Sequence, residues 1–148
     1  MAGSETLIRQ AAAIPLREGR VCLVTSRSGR RWVVPKGTLE PGKSAAEIAL
    51  QEAWEEAGLL GVLGPALGTY QYEKYGGVCL VTVFPMQVHD VQREWPERLM
   101  RKRAWLLPDE AVELIDEPAL REMIRHAAMM ETTPAAQMLP TEDAVPPR

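Results

Sequence analysis

The sequence predicts an α/β protein in which a mixed β-sheet lies between helices. Strand-like segments come first, one strongly marked helix follows, and then come more strands and further helices. This order, punctuated by glycines and prolines, is typical of such a fold. The 148 residues, of which 46% are hydrophobic, are enough for one domain with a normal core. We predict that this domain spans residues 1–130 and that the proline-containing segment 131–148 is a disordered tail.

Six short segments have the apolar content and the flanking turn residues of β-strands. They are residues 10–16, 20–26, 31–34, 67–74, 78–88 and 99–106. Arg17-Glu18-Gly19 separates the first two, and Tyr75-Gly76-Gly77 separates the fourth and fifth, so each of these pairs predicts a hairpin. Two helices are predicted after the last strand, over residues 108–115 and 117–130, and the second has apolar residues at helical period.

The most informative segment is a helix predicted between Ser44 and Gly58. Ser44 is a good N-cap, and Glu47 three residues later completes a capping box. Gly58 suits the left-handed position that follows a last helical turn. Ahead of the helix lies the segment 35–43, with two prolines and two glycines. We predict a tight loop there, which would bring backbone N–H groups close to a ligand.

Three glutamates on this helix form a candidate ion site. Glu52, Glu55 and Glu56 follow the spacing i, i+3, i+4, which places their carboxylates on one side of a helix. Like charges held there repel each other by about a few tenths of a kcal/mol per pair. A hard divalent cation, Mg²⁺ or Mn²⁺, would relieve that repulsion. The alternative is an ordinary solvated helix face, on which such triplets are common.

From Gly37 to Leu59 the sequence resembles the signature of the Nudix hydrolases. That signature is Gly, five residues, Glu, seven residues, Arg-Glu, an apolar residue, any residue, Glu-Glu, any residue, Gly and an apolar residue. The resemblance implies an α/β/α sandwich and a water molecule that attacks a phosphoanhydride, with Mg²⁺ or Mn²⁺ as cofactor. It makes Glu52, Glu55 and Glu56 the catalytic and metal-binding residues, and we add Gly37 to the metal site. Related proteins are often monomers or homodimers, and the same is expected here.

Two positions depart from the signature, because Lys43 replaces its first Glu and Gln51 replaces its Arg. One hypothesis is a coupled exchange, in which Lys43 supplies the positive charge that Gln51 lacks. The other is weakened or lost catalysis in a module that still binds a nucleotide or polyphosphate. The three helix glutamates favour an enzyme.

The expected substrate is a small phosphoanhydride compound. The segment from Arg9 to about residue 115 resembles the diphosphoinositol polyphosphate phosphohydrolases, a branch that also cleaves diadenosine polyphosphates. The resemblance implies phosphate contacts from Arg9, Ser26, Arg27 and Arg103, to which we add Lys36 of the loop before the helix. A nucleoside diphosphate derivative, a dinucleoside polyphosphate and an inositol pyrophosphate all remain open. The general base is also open, with Glu94 and Glu97 as weak candidates.

Composition argues against several other classes. A net charge of −3 gives no bulk attraction to nucleic acid or to an anionic membrane, and the sequence shows no basic face with interleaved aromatics. No apolar run approaches the roughly 18 residues of a membrane span, and no secretory signal is expected in the first ten residues. Cys22 and Cys79 lie in apolar runs and are predicted to be buried free thiols, which favours a cytoplasmic protein.

Overall fold

A computed structural model describes residues 6–74 and 76–137, with the side chains of 132–137 excepted. This part of the chain contains eight strands and three helices. In chain order they are β1 (Thr6–Arg17), β2 (Arg20–Thr25), β3 (Trp32–Val33), β4 (Lys36–Thr38), α1 (Ala45–Ala57), β5 (Leu59–Leu63), β6 (Gly68–Lys74), β7 (Gly77–Val91), β8 (Arg103–Leu106), α2 (Pro108–Leu114) and α3 (Pro118–Gln137).

All eight strands belong to one mixed sheet. Its main path runs β3-β2-β1-β7-β5, while β4 pairs with β1, β6 with β7 and β8 with β2. The central strands β1 and β7 are parallel and in register, from Thr6 opposite Gly77 to Leu16 opposite Gln87. The other pairings are antiparallel, and they include both predicted hairpins, β1–β2 and β6–β7.

Alternating residues of β1 separate two hydrophobic layers. Ala11 and Ala13 face α1 and share a buried cluster with Ile48. Ala12 and Ile14 face the opposite side and belong to the cluster formed with α2 and α3. This is the period of two that a strand covered on both faces requires. The predicted α/β/α sandwich with a mixed sheet is therefore confirmed.

Several elements differ from the prediction. The segment predicted as a loop contains β4, which pairs with β1 and sets Gly37 opposite Ala11. Residues 59–63 form β5, an additional edge strand that was not predicted. The last predicted strand begins only at Arg103, because the backbone N–H groups of Met100 and Arg101 both donate to the Glu97 carbonyl and fold residues 97–101 into a turn.

Helix α3 runs beyond its predicted end. It continues to Gln137, through residues that were assigned to the disordered tail. The backbone N–H of Gly19 donates to Glu131 Oε1 at 3.2 Å, which ties this added turn to the β1–β2 hairpin. The remainder of the predicted tail, 138–148, lies outside the described residues. No helix in the described ranges combines the length and the apolar content needed to cross a membrane.

Candidate functional site

Helix α1 begins and ends as its sequence predicts. Ser44 Oγ accepts a hydrogen bond from the Glu47 backbone N–H at 3.1 Å, and Glu47 Oε1 accepts one from the Ser44 backbone N–H at 2.8 Å. Gly58 adopts the left-handed conformation at φ 69° and ψ 34°. Its N–H donates to the Trp54 carbonyl at 2.9 Å. These two caps fix the frame in which the helix glutamates are held.

Glu52 lies directly against the backbone of β4. A Cβ atom built on Gly37 would come within 2.5 Å of Glu52 Cδ and Oε2, closer than real side chains approach. Only glycine at this position leaves the carboxylate where it is. The structure therefore brings together Gly37 and Glu52, two of the residues predicted for the metal site.

Glu56 is buried, with 7% of its surface exposed, and each of its carboxylate oxygens has a separate partner. Its Oε1 accepts a hydrogen bond from the Lys36 backbone N–H at 3.3 Å. Its Oε2 lies 3.5 Å from Arg101 Nη2, and Arg101 Nε contacts Glu97 Oε1 at 2.7 Å. Arg101 also donates from Nη1 to the Thr25 carbonyl at 2.9 Å. Arg101 thus joins Glu56, Glu97 and β2 into one buried network.

Glu52 and Glu56 are electrostatically coupled. Burial is the largest influence on Glu52 and raises its pKa to about 8, with further increases from its hydrogen bond to Glu56 and from nearby carboxylates. Burial also raises the pKa of Glu56, while Arg101 opposes that rise. The pair therefore favours one shared proton over two adjacent negative charges.

The donor chemistry of this acidic cluster suits a hard cation. Glu52 and Glu56 offer adjacent carboxylate oxygens, and Glu55 is half-buried on the same helix. Within residues 6–74 and 76–131, however, no three acidic, histidine or cysteine side chains are already arranged around a common point. Hard divalent cations such as Mg²⁺ and Mn²⁺ prefer carboxylate oxygens, so Glu52, Glu55 and Glu56 could hold such an ion.

The segment 92–102, which connects β7 to β8, covers the C-terminal end of α1. The Glu55 carbonyl accepts from the Glu97 backbone N–H at 3.0 Å, and the Glu56 carbonyl accepts from Trp95 Nε1, also at 3.0 Å. The Ala57 carbonyl accepts from Arg103 Nη1 at 2.7 Å. Sequence reasoning missed these contacts, because backbone carbonyl acceptors leave no trace in a sequence.

The two positions that depart from the signature take part in one contact between loop and helix. Lys43 Nζ donates to Gln51 Oε1, and Gln51 Nε2 donates to Glu40 Oε2 at 3.2 Å. Lys43 Nζ also lies 3.7 Å from Glu40 Oε1. This group ties the loop that follows β4 to α1.

The five residues predicted for substrate binding are spread over the site and its surroundings. Arg9 is exposed and follows the same alternation as Ala11, which places it on the α1 face. Ser26 Oγ contacts Ser28 Oγ and the Arg31 backbone N–H within its own turn, in which Arg27 is exposed.

Lys36 and Arg103 have partners of their own. The Lys36 ammonium lies 5.1 Å from the centre of the Tyr72 ring, on the opposite sheet face from Gly37, because successive strand residues point to opposite sides. Burial lowers the pKa of Lys36, and Glu56 opposes that change. Arg103 packs over the Trp95 ring at 4.1 Å.

The fold and the site define an α/β/α sandwich with a carboxylate-bearing helix held against a glycine of the central sheet. A comparison with protein-family models matches residues 7–127 to the NUDIX domain. The chain therefore belongs to the NUDIX family.

Related proteins carry names that agree with this family. Nudix hydrolase 16, mitochondrial, of Arabidopsis thaliana is 32% identical over 113 residues, which are 71% of this chain and 63% of that protein. Diphosphoinositol polyphosphate phosphohydrolase 3-beta of Bos taurus is 32% identical over 102 residues, which are 67% of this chain and 62% of that protein. The chain thus spans between about half and two thirds of the length of the curated relatives it matches.

Solved structures share the same fold. The crystal structure of C. elegans Ap4A hydrolase matches with a TM-score of 0.67 at 19% identity, over 86% of this chain and 99% of that one. The MutT protein from Methanosarcina mazei Go1 matches with a TM-score of 0.64 at 22% identity, over 86% of this chain and 97% of that one. At these identities the two structures confirm the predicted fold, while the predicted family is confirmed by the match of residues 7–127.

Proposed function

We propose that the protein hydrolyses a phosphoanhydride bond with Mg²⁺ or Mn²⁺ held by Glu52, Glu55 and Glu56. The observation that carries this proposal is the Glu52–Glu56 pair, two adjacent carboxylates with raised pKa on a helix that approaches Gly37. A hard divalent cation would compensate the negative charge of the two carboxylates and so replace the proton that they share in its absence.

The chemistry follows from the residues around that pair. A bound cation would polarise the phosphoryl oxygens and lower the pKa of a bound water. Water adds to one phosphorus, the anhydride P–O bond breaks, and two phosphate-bearing products leave. Glu97, joined to Glu56 through Arg101, is our candidate to accept the proton of that water. Glu94 is the weaker candidate, because it is exposed and its partner is Arg98, whereas the partner of Glu97 also contacts Glu56.

A neighbouring groove supports a nucleoside-containing substrate. It encloses about 680 Å³, and its lining includes Trp32, Met100, Arg101 and Lys102. Arg101, which lines this groove, also contacts Glu56. Trp32 and Met100 offer apolar surface suited to a flat base, while Lys102 suits a phosphate. We therefore place nucleoside diphosphate derivatives and dinucleoside polyphosphates ahead of inositol pyrophosphates, which have no apolar face.

A substrate panel tests the proposal. Phosphate release would be followed with dinucleoside polyphosphates, nucleoside diphosphate sugars, nucleoside triphosphates and inositol pyrophosphates, with and without Mg²⁺ or Mn²⁺. We expect cation-dependent turnover that Glu52→Gln and Glu56→Gln each abolish. Glu113→Gln, which changes an exposed glutamate of α2, is the matched control. Binding without turnover at any pH would indicate the module without catalysis instead.

We further propose a cytoplasmic location, on the support of the two cysteines. Cys22 and Cys79 are both buried and free, as predicted. Burial raises the pKa of the Cys22 thiol to about 12, which keeps it protonated. Free thiols are usual in a reducing compartment.

A further inference from the structure

We propose that Trp95 and Arg103 are positioning residues, which together hold the last turn of α1 and fix the orientation of Glu55 and Glu56. The inference rests on the proposed function, since it takes the acidic cluster to be the site of hydrolysis. It also gives Arg103 a different role from the substrate contact that the sequence resemblance implies.

The hydrogen bonds at the end of α1 carry the first step. The last carbonyls of an α-helix have no partner within the helix. Trp95 Nε1 donates to the carbonyl of Glu56 itself, and Arg103 Nη1 donates to the carbonyl of the next residue, Ala57. Side chains from outside the helix therefore hold the backbone of a residue whose carboxylate belongs to the site.

The contact between the two side chains carries the second step. The Arg103 guanidinium lies 4.1 Å from the centre of the Trp95 ring, a cation–π contact. The ring also occupies the space beside Gly58, because a Cβ built there would come within 2.8 Å of it. Trp95 is thus held between Arg103 and the residue that ends the helix, and neither side chain can move without releasing a carbonyl.

The electrostatics at the C-terminal end of α1 also involve Arg103. The C-terminal end of a helix bears partial negative charge and is stabilised by a nearby cation. Helix α1 has no basic residue in its own last turn, and two of the residues there are Glu55 and Glu56. Arg103 supplies this cation from β8. The same end of the helix therefore depends on Arg103 for both a hydrogen bond and charge compensation.

The test separates positioning from substrate binding. Four variants would be compared with the wild type: Trp95→Phe, Arg103→Met, Arg103→Lys and Arg93→Met. Trp95→Phe keeps an aromatic ring but removes the indole N–H donor. Arg93 is an exposed arginine of the 92–102 segment and serves as the control. For each protein we would measure kcat and KM for the best substrate of the panel, and Mn²⁺ affinity by electron paramagnetic resonance.

We expect Trp95→Phe and Arg103→Met to lower kcat by about 10- to 100-fold, because small misplacements of catalytic groups have effects of that size. Their Mn²⁺ affinity should fall, KM should change little, and Arg103→Lys should recover part of kcat. Arg93→Met should match the wild type. A raised KM with unchanged kcat in Arg103→Met would overturn the proposal and indicate substrate binding. Wild-type values of kcat and Mn²⁺ affinity in both Trp95→Phe and Arg103→Met would also overturn it.

Amide hydrogen exchange provides a readout that needs neither metal nor substrate. Exchange at Ala57 and Gly58 should be faster in Trp95→Phe and Arg103→Met than in the wild type and Arg93→Met. Unchanged exchange at these amides would overturn the proposed hold on the helix end. A wild-type protein without turnover or Mn²⁺ binding would instead contradict the proposed function, and exchange would still decide whether the two side chains fix the helix.

Discussion

Lys43 and Gln51, the two residues that depart from the Nudix signature, bind each other directly, with Lys43 Nζ 2.6 Å from Gln51 Oε1. Glu40 contacts both of them. These contacts give a physical basis to the hypothesis that the two replacements are coupled. The contact joins the loop after β4 to α1, so its effect on Glu52 would be exerted through the placement of that loop.

We predict that the double variant, Lys43→Glu with Gln51→Arg, loses less stability than the sum of the losses in the two single variants. Lys43→Glu places a second acid beside Glu40, and Gln51→Arg places a second cation beside Lys43. In the double variant the new charges attract, so the free energies of unfolding should be non-additive by about 0.3 to 1 kcal/mol, the range for exposed pairs. Urea denaturation of the four proteins measures this coupling, and strictly additive values would argue against it.

Gly37→Ala should damage the site more than the fold. The new Cβ would meet the end of the Glu52 side chain, which is half-buried and can rotate away. We expect kcat/KM to fall by at least about tenfold and Mn²⁺ affinity to fall with it, because Glu52 is displaced. The melting temperature should change little. Glu113→Gln, at an exposed position of α2, is the control. A normal kcat/KM in Gly37→Ala would contradict the proposed role of this approach.

Without metal, the protein should lose stability as pH rises through the titration of Glu52. A carboxyl group whose pKa is higher when folded binds more protons in the folded state. Its contribution is complete below the ordinary pKa of 4.5 and is lost as pH approaches the folded value of about 8. Urea denaturation in EDTA should therefore show falling stability over this interval, and Glu52→Gln should flatten the slope. Stability that rises over the same interval would be inconsistent with the raised pKa.

Mn²⁺ should reverse that pH trend. A cation binds the deprotonated carboxylates, so its stabilising effect should grow as pH rises toward about 8. The measurement is the difference in unfolding free energy with and without Mn²⁺ at a series of pH values. Glu113→Gln should behave as the wild type does. A stabilisation that does not depend on pH would show that the ion binds away from Glu52.

Arg101→Met should destabilise the protein strongly. Only 7% of the Arg101 side chain is exposed, and its loss leaves the buried carboxylate of Glu56 without its cation. Removing one partner of a buried ion pair costs about 3 to 5 kcal/mol. Adding Glu56→Gln should recover part of this loss, because the uncompensated charge is then gone. Equal unfolding midpoints for the single and double variants would show that the loss comes from other contacts of Arg101.

Local signals were enough to predict the helix that carries the site. Ser44, Glu47 and Gly58 act through hydrogen bonds and dihedral angles within a few residues of themselves, so their identities determine the two ends of α1. For the same reason, the i, i+3, i+4 spacing was enough to predict that the three glutamates lie on one side of that helix. Cys22 was predicted to be buried from its apolar neighbours alone, and it is.

The parts that could not be predicted depend on distant partners. Gly37 was assigned to a loop because nothing near it shows that Ala11 pairs with it across the sheet. Trp95 and Arg103 contact backbone carbonyls 39 and 46 residues away, and any residue type can provide a carbonyl. The family resemblance implied a phosphate contact for Arg103, and no local signal in the sequence indicates its contacts with the Ala57 carbonyl and the Trp95 ring.

The parallel pairing of β1 with β7 has a consequence for how the chain folds. Its hairpins can close locally, but Thr6 meets Gly77 only after about seventy intervening residues have been brought into a loop. Non-local pairings of this kind slow folding. We therefore expect the β6–β7 hairpin to form before β1 pairs with β7. Helix α1 would then pack against the sheet only after these two central strands have paired.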